Sequence, residues 1–222
     1  FQVYNNLRED AASIAAVNET KGQVVFAENQ VAETYFYSVS AGVSAGIKEV
    51  WFAKKDRSYL MPCVLLGDSR KTLDLQKEAD FSEFLQGEIK SYDTNSPWYR
   101  WRTTVSEKQL QQFISEKIKS RYEKNPTQIQ TKQKDGTFFS TGQTELGEIK
   151  KVEILKRGKS GVAVMAQITG SKNTLRIYTE YNLRNLFGGE KLIYLRKDKK
   201  EVSGLSLSLI HISEPTRLLS IS

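Results

Sequence analysis

Three runs follow one another with only short breaks between them: Val152-Glu153-Ile154-Leu155-Lys156, then Gly161-Val162-Ala163-Val164-Met165-Ala166-Gln167-Ile168-Thr169, then Thr174-Leu175-Arg176-Ile177-Tyr178-Thr179. Each is rich in β-branched and apolar side chains and is bounded by Gly, Ser or Asn, so each reads as a strand. Lys191 to Leu195 reads as a fourth, after a brief helical turn from Asn182 to Phe187 and the pair Gly188-Gly189. Successive short strands separated by turn residues give an α+β fold in which antiparallel strands dominate and a few helices pack against them.

Two helices are legible upstream of these strands. Phe81, Phe84, Leu85 and Ile89 share one face of a helix over Asp80 to Ile89. A longer helix starts at Ser106, with Gln109 three residues on as a capping box and Val105 and Leu110 as a hydrophobic staple. Its apolar stripe is Leu110, Phe113, Ile114, Ile118 and Tyr122. The polar, turn-rich segment Asn125 to Gly147 reads as a loop or insertion. Near the start, Asp10 caps a short helix that ends at Thr20-Lys21-Gly22. A hairpin follows, with Gln23 to Phe26 and Ala32 to Ser38 as strands around the turn Glu28-Asn29.

The bulk numbers bound the function classes. At 222 residues, 39% hydrophobic and 27% charged, the chain can bury a core. The formal charge of +7 suits a polyanionic partner: nucleic acid, an anionic membrane or the cell wall. No aromatic-glycine string or basic recognition helix accompanies the lysines and arginines, so nucleic-acid binding is the remote alternative. The single cysteine, Cys63, excludes an internal disulfide and reads as a small buried hydrophobe. The single histidine, His211, lies in Leu207 to Arg217, a string that resembles the in-frame translation of a transposase-based sequencing adapter. Residues 206–222 are therefore expected to be a non-native tail, which leaves no imidazole for a triad or a metal site.

Two segments stand out as candidate sites. Val39 to Gly46 is a run of small residues, open to two readings: a flexible loop, or a loop that offers its backbone N–H groups to a ligand. Ser96-Pro97-Trp98-Tyr99-Arg100-Trp101 is an aromatic cluster that can plug a core or stack on sugar rings.

Several segments in order resemble the stage II sporulation protein D and amidase-enhancer family. Ala16-Val17-Asn18-Glu19-Thr20-Lys21-Gly22-Gln23-Val24 is similar to its Ala-Val-x-x-Thr-x-Gly-x-Val step. Tyr35 to Ser44 resembles its Phe-x-Ser-x-Ser-Gly-Gly-x-Thr signature, with Ala41 at the first glycine and Ser44 at the threonine. Glu49-Val50-Trp51 and Tyr59-Leu60 resemble the Asp-Val-Trp and Pro-Tyr-Leu that follow, and Leu183-Arg184 resembles a later Ile-Arg turn.

The resemblance implies a lytic transglycosylase. Such an enzyme cleaves the bond between N-acetylmuramic acid and N-acetylglucosamine in peptide-stripped peptidoglycan strands, with one acid that also acts as base. Other members are non-catalytic amidase enhancers or wall-binding modules. It implies that residues 1–205 are part of one such domain, with about 70–147 as a helical insertion or subdomain. The catalytic Glu is expected upstream of Phe1, so no catalytic residue is assigned in this chain. Ser38, Ser40, Gly42, Ser44, Tyr59 and Trp51 are the expected substrate-binding residues, with Trp98 a further stacking candidate. Glu49, beside Lys48, is expected to face solvent rather than to serve as the acid. No cofactor and no metal are expected, since Phe1 stands where some members carry a zinc-binding Cys. The implied partners are glycan strands and other wall hydrolases, and the implied location is extracytoplasmic, at the surface of a Gram-positive bacterium.

Overall fold

The carboxylate of Asp10 accepts the Ser13 amide at 3.0 Å and so starts helix α1, Ala11–Glu19. The chain leaves that helix through Gly22, whose φ of +79° suits a residue without Cβ. Glu28 and Asn29, at φ 51° and 58°, form a tight turn between β1, Phe26–Ala27, and β2, Gln30–Val31. The hairpin is in the expected place but much shorter than its sequence suggests. Val24, Val25, Phe26 and Phe36 are 63 to 71% exposed. Without a layer packed on its apolar side chains, an isolated two-stranded ribbon gains little by extending.

This is a computed structural model that describes residues 8–37, 39–51, 55–65, 73–87, 89–188 and 191–204. It divides between Tyr37 and Ser38 into two units. The adapter-like tail and Ser38 lie outside the described residues.

In the second unit, α2 (Ile47–Val50) and α3 (Glu78–Gln86) precede β3, Trp101–Thr103. Helix α4, Glu107–Lys124, carries the expected capping box: Ser106 Oγ accepts the Gln109 amide, and Gln109 Oε1 accepts the Ser106 amide. Then come β4 (Ile129–Lys132), β5 (Phe138–Phe139), β6 (Ile149–Arg157), β7 (Ala163–Gly170) and β8 (Thr174–Tyr178). Helix α5, Glu180–Phe187, leads to β9 (Lys191–Leu195) and β10 (Lys200–Gly204). The five-stranded sheet runs β5-β4-β8-β7-β6 and a three-stranded sheet runs β10-β9-β3, all pairs antiparallel. The fold is α+β.

One face of the large sheet carries the core. Leu110, Ile114 and Ile118 of α4 and Leu183 and Leu186 of α5 meet Ile129, Ala166, Ile168, Leu175 and Ile177 from the strands. Burial of this apolar area at about 25 cal/mol per Å² is the main stabilising term. Within the 70–147 stretch, α4 and β4 contribute to that same core. The Asn125 to Gly147 segment is no loop throughout, since it holds β4 and β5. A second, smaller cluster joins Val43 and Leu75 to Phe81 and Phe84 of α3.

Among the described residues no helix is long and apolar enough to cross a membrane.

Candidate functional site

The small-residue run is pinned in place rather than loose. Its backbone pairs antiparallel with residues 60–65: the Leu65 amide donates to Gly42 O at 2.8 Å, the Ser44 amide to Cys63 O at 2.9 Å, and the Ile47 amide to Leu60 O at 2.9 Å. Gly42 adopts φ +98°, a conformation that glycine takes without strain. Val43 is buried against α3. Arg100 clamps the run from the other side, its Nη1 donating to Ala41 O at 2.9 Å and its guanidinium lying 4.0 Å above the Tyr99 ring. Burial lowers the Arg100 pKa from its ordinary value. The aromatic cluster is thus mainly a core plug, with Tyr99 buried and Trp98 38% exposed.

Both hydroxyls of the run bond to other parts of the protein. Ser40 is buried; its amide and Oγ both donate to Asp93 Oδ2, at 2.7 and 2.5 Å, and its Oγ accepts the Gly42 amide at 3.1 Å. Ser44 Oγ accepts the Cys63 amide at 3.0 Å. The amides of Ser40, Gly42 and Ser44 are therefore engaged within the protein. Tyr59 is half-buried beside Leu60, so the ribbon brings it alongside the run's far end. Trp51, at the end of α2, is 46% exposed, which excludes a core role for its indole. Cys63 is also exposed rather than buried.

Sequence reading missed the surroundings of Glu49, which is half-buried and does not simply face solvent. Its Oε2 accepts the Gly46 amide at 3.1 Å and the Ser160 hydroxyl, and its Oε1 lies 3.3 Å from the Ser160 amide. A Cβ built on Gly158 would fall 2.4 Å from Oε1, so only glycine lets the carboxylate settle on the β6–β7 turn. Ser160 lies 111 residues from Glu49 in sequence, a separation that no local pattern reveals.

Beside Glu49 opens a cleft of about 310 Å³, lined by Lys48, Glu49, Lys156, Met165, Tyr178 and Thr179 among others. Two backbone irregularities border it. The β6–β7 register shifts between Ile154 and Lys156, and Thr179, a β-branched residue, sits at φ +77°. Bulges and strained residues of this kind re-aim side chains near binding sites. Among the described residues no cluster of three His, Cys, Asp or Glu side chains is arranged to hold a metal ion.

Next to the cleft, Glu180 opens α5 with its carboxyl only 2% exposed and both oxygens without a hydrogen-bond partner. Arg184 Nε approaches Oε1 at 3.2 Å, an ion-pair distance without hydrogen-bond alignment. Desolvation raises the Glu180 pKa from the ordinary 4.5, and Arg184 offsets part of that. Between 4.5 and the raised native value the folded state binds more protons than the unfolded one, so this group makes stability fall as pH rises through that window. Glu180→Gln removes that term. Urea midpoints measured from pH 4.5 to 7.5 should fall less steeply in the variant than in the parent; equal slopes would contradict the burial argument.

A family model described as a domain of unknown function (DUF8618) matches residues 45–207, more than half of the chain. The matched region contains Trp51, Tyr59 and the whole cleft, whereas Ser38, Ser40, Gly42 and Ser44 precede it. No curated protein and no solved structure matches the chain.

Proposed function

The chain belongs to the DUF8618 family, and we propose that it is the glycan-binding portion of a peptidoglycan lytic transglycosylase of the sporulation-protein-D type. Its target is the N-acetylmuramic acid–N-acetylglucosamine strand after peptide removal, at the outer surface of a Gram-positive bacterium during sporulation or wall remodelling. One observation carries the reading: the second-unit part of the signature match, which ends at Ser44, and the stretch that holds Tyr59-Leu60 run as hydrogen-bonded neighbours, through Ser44 to Cys63 and, three residues on, Ile47 to Leu60. That pairing sets Tyr59 just past the end of the small-residue run, at the start of α2, and the exposed indole of Trp51 follows at the end of that helix. Aromatic faces of this sort bury sugar CH surfaces. Since Ser40 and Ser44 spend their hydroxyls internally, their role is to shape the run, and contact with sugar falls to Tyr59 and Trp51.

One feature favours a non-catalytic role for the chain itself, as in the amidase enhancers. Both oxygens of Glu49 are engaged by Ser160, and Oε2 also by Gly46, which leaves the acid poorly presented to a glycosidic oxygen. The chain is therefore expected to hold strands without cutting them, alone or beside other wall hydrolases. Co-sedimentation with purified, peptide-stripped glycan strands tests this. The parent should pellet with the strands, and Trp51→Ala combined with Tyr59→Ala should lower the bound fraction about tenfold, the size of one lost aromatic platform (about 1–2 kcal/mol). Unchanged binding in the double variant would remove these residues from the site.

A further inference from the structure

The outer face of the five-stranded sheet points to a second contact surface. Alternation along the strands sends Val152, Ile168 and Leu175 into the core, and their neighbours to the other side. In one cross-strand row Glu153, Gln167, Arg176 and Gln130 lie side by side. In another, Lys156 stands opposite Met165, and Met165 opposite Tyr178, which together form one wall of the cleft.

The charges on this face are uneven. Glu153 is neutralised by Lys151 at 2.6 Å. Arg176 Cζ lies over the Phe138 ring, 3.8 Å from its centroid, with its Nε 3.4 Å from Gln167 Oε1, and its two Nη groups make no hydrogen bond among the described residues. Lys156 likewise has no ionic partner among them. A guanidinium held over a ring with its two Nη groups open is placed for bidentate capture of a carboxylate. The row's side-chain amides, Gln130 and Gln167, complement N-acetyl and hydroxyl groups.

We propose that this sheet face, from Arg176 to the cleft at Lys156, binds an acidic, N-acetylated polysaccharide through its carboxylates. The inference rests on the glycan reading above but is separate from Trp51 and Tyr59: it assigns the acidic groups of the strand to the sheet. The bulge beside Lys156 and the positive φ of Thr179 border the cleft that closes this end of the face.

The test compares two probes, peptide-stripped glycan strands, which carry a carboxylate on each muramic residue, and chitohexaose, which is neutral. The parent should bind the acidic strands more tightly than the neutral oligomer, and raising salt should shrink the difference. Arg176→Gln with Lys156→Gln should weaken binding to the acidic strands about tenfold, as expected for two exposed ion pairs, and leave chitohexaose unchanged. Lys108→Gln with Lys119→Gln, on the exposed side of α4, makes the same change in net charge and should have no effect. Thermal melts of both pairs separate lost binding from lost folding; if the sheet pair is unfolded, the salt dependence of the parent's preference decides. Equal binding of the two probes by the parent overturns the inference and leaves the glycan reading standing, as does loss of acidic-strand binding in both variant pairs alike. Failure of the parent to bind either probe overturns both, and so does binding of a single-stranded oligonucleotide alone.

Discussion

Glu78→Ala is expected to destabilise the second unit more than Arg157→Met does, although Glu78 is the more exposed of the two. Arg157 lies with 1% of its side chain exposed, stacked 3.8 Å above the Phe81 ring. Its Nε and Nη2 reach both oxygens of Glu78 at 2.6 and 3.0 Å, and its Nη1 donates to Gly161 O at 3.0 Å. Glu78→Ala strips a buried guanidinium of its carboxylate, a change that typically costs about 3 kcal/mol or more. Arg157→Met keeps an unbranched apolar chain on Phe81 and leaves Glu78, whose side chain is 38% exposed, free to be hydrated. That loss should stay near 1–2 kcal/mol. At about 2–4 °C per kcal/mol for a chain of this size, the Ala variant should melt roughly 6–12 °C below the parent. The reverse order of the two variants would show that the ion pair is not what fixes this corner.

The second large effect sits under α5. Asn182 is fully buried, and its Oδ1 accepts from Arg121 Nε at 2.9 Å and Nη2 at 2.8 Å. Its Nδ2 donates to Gln128 Oε1 and Tyr178 O, at 2.8 and 2.9 Å. One amide thus joins α4, the turn before β4, the end of β8 and α5. Asn182→Ala leaves the buried Arg121 charge without that acceptor and should cost about 3–5 kcal/mol. Arg121→Met in the same background removes the stranded charge, so the double variant should be more stable than the sum of the two single losses implies. Strict additivity in urea unfolding would mean that the two side chains do not act as a unit.

The parts of this fold that were legible in the sequence are those whose signals are local. Runs of β-branched and apolar residues bounded by Gly, Ser or Asn placed β6, β7 and β8, and the Ser106–Gln109 box placed the start of α4. β4 escaped because Ile129-Gln130-Thr131-Lys132 offers one large apolar residue in four, and it becomes a strand because β8 and β5 supply its partners. The hairpin at Glu28-Asn29 was legible from its turn, but its length was not, since strand length depends on a packing layer rather than on propensity. The candidate site divides in the same way. The small-residue run was visible as a segment, yet its hydroxyls are claimed by Asp93 and Cys63, 53 and 19 residues away. Burial of Glu49 on the β6–β7 turn depends on Gly158 and Ser160, which carry no signal until the chain has folded.

Binding of peptidoglycan glycan strands is the property proposed for this chain. Co-sedimentation of the parent protein with purified, peptide-stripped strands at about 0.15 M salt, run beside a single-stranded oligonucleotide of matched charge, tests it most directly. The protein should pellet with the glycan and should not prefer the oligonucleotide. A protein that stays in the supernatant with the strands but binds the oligonucleotide would contradict it.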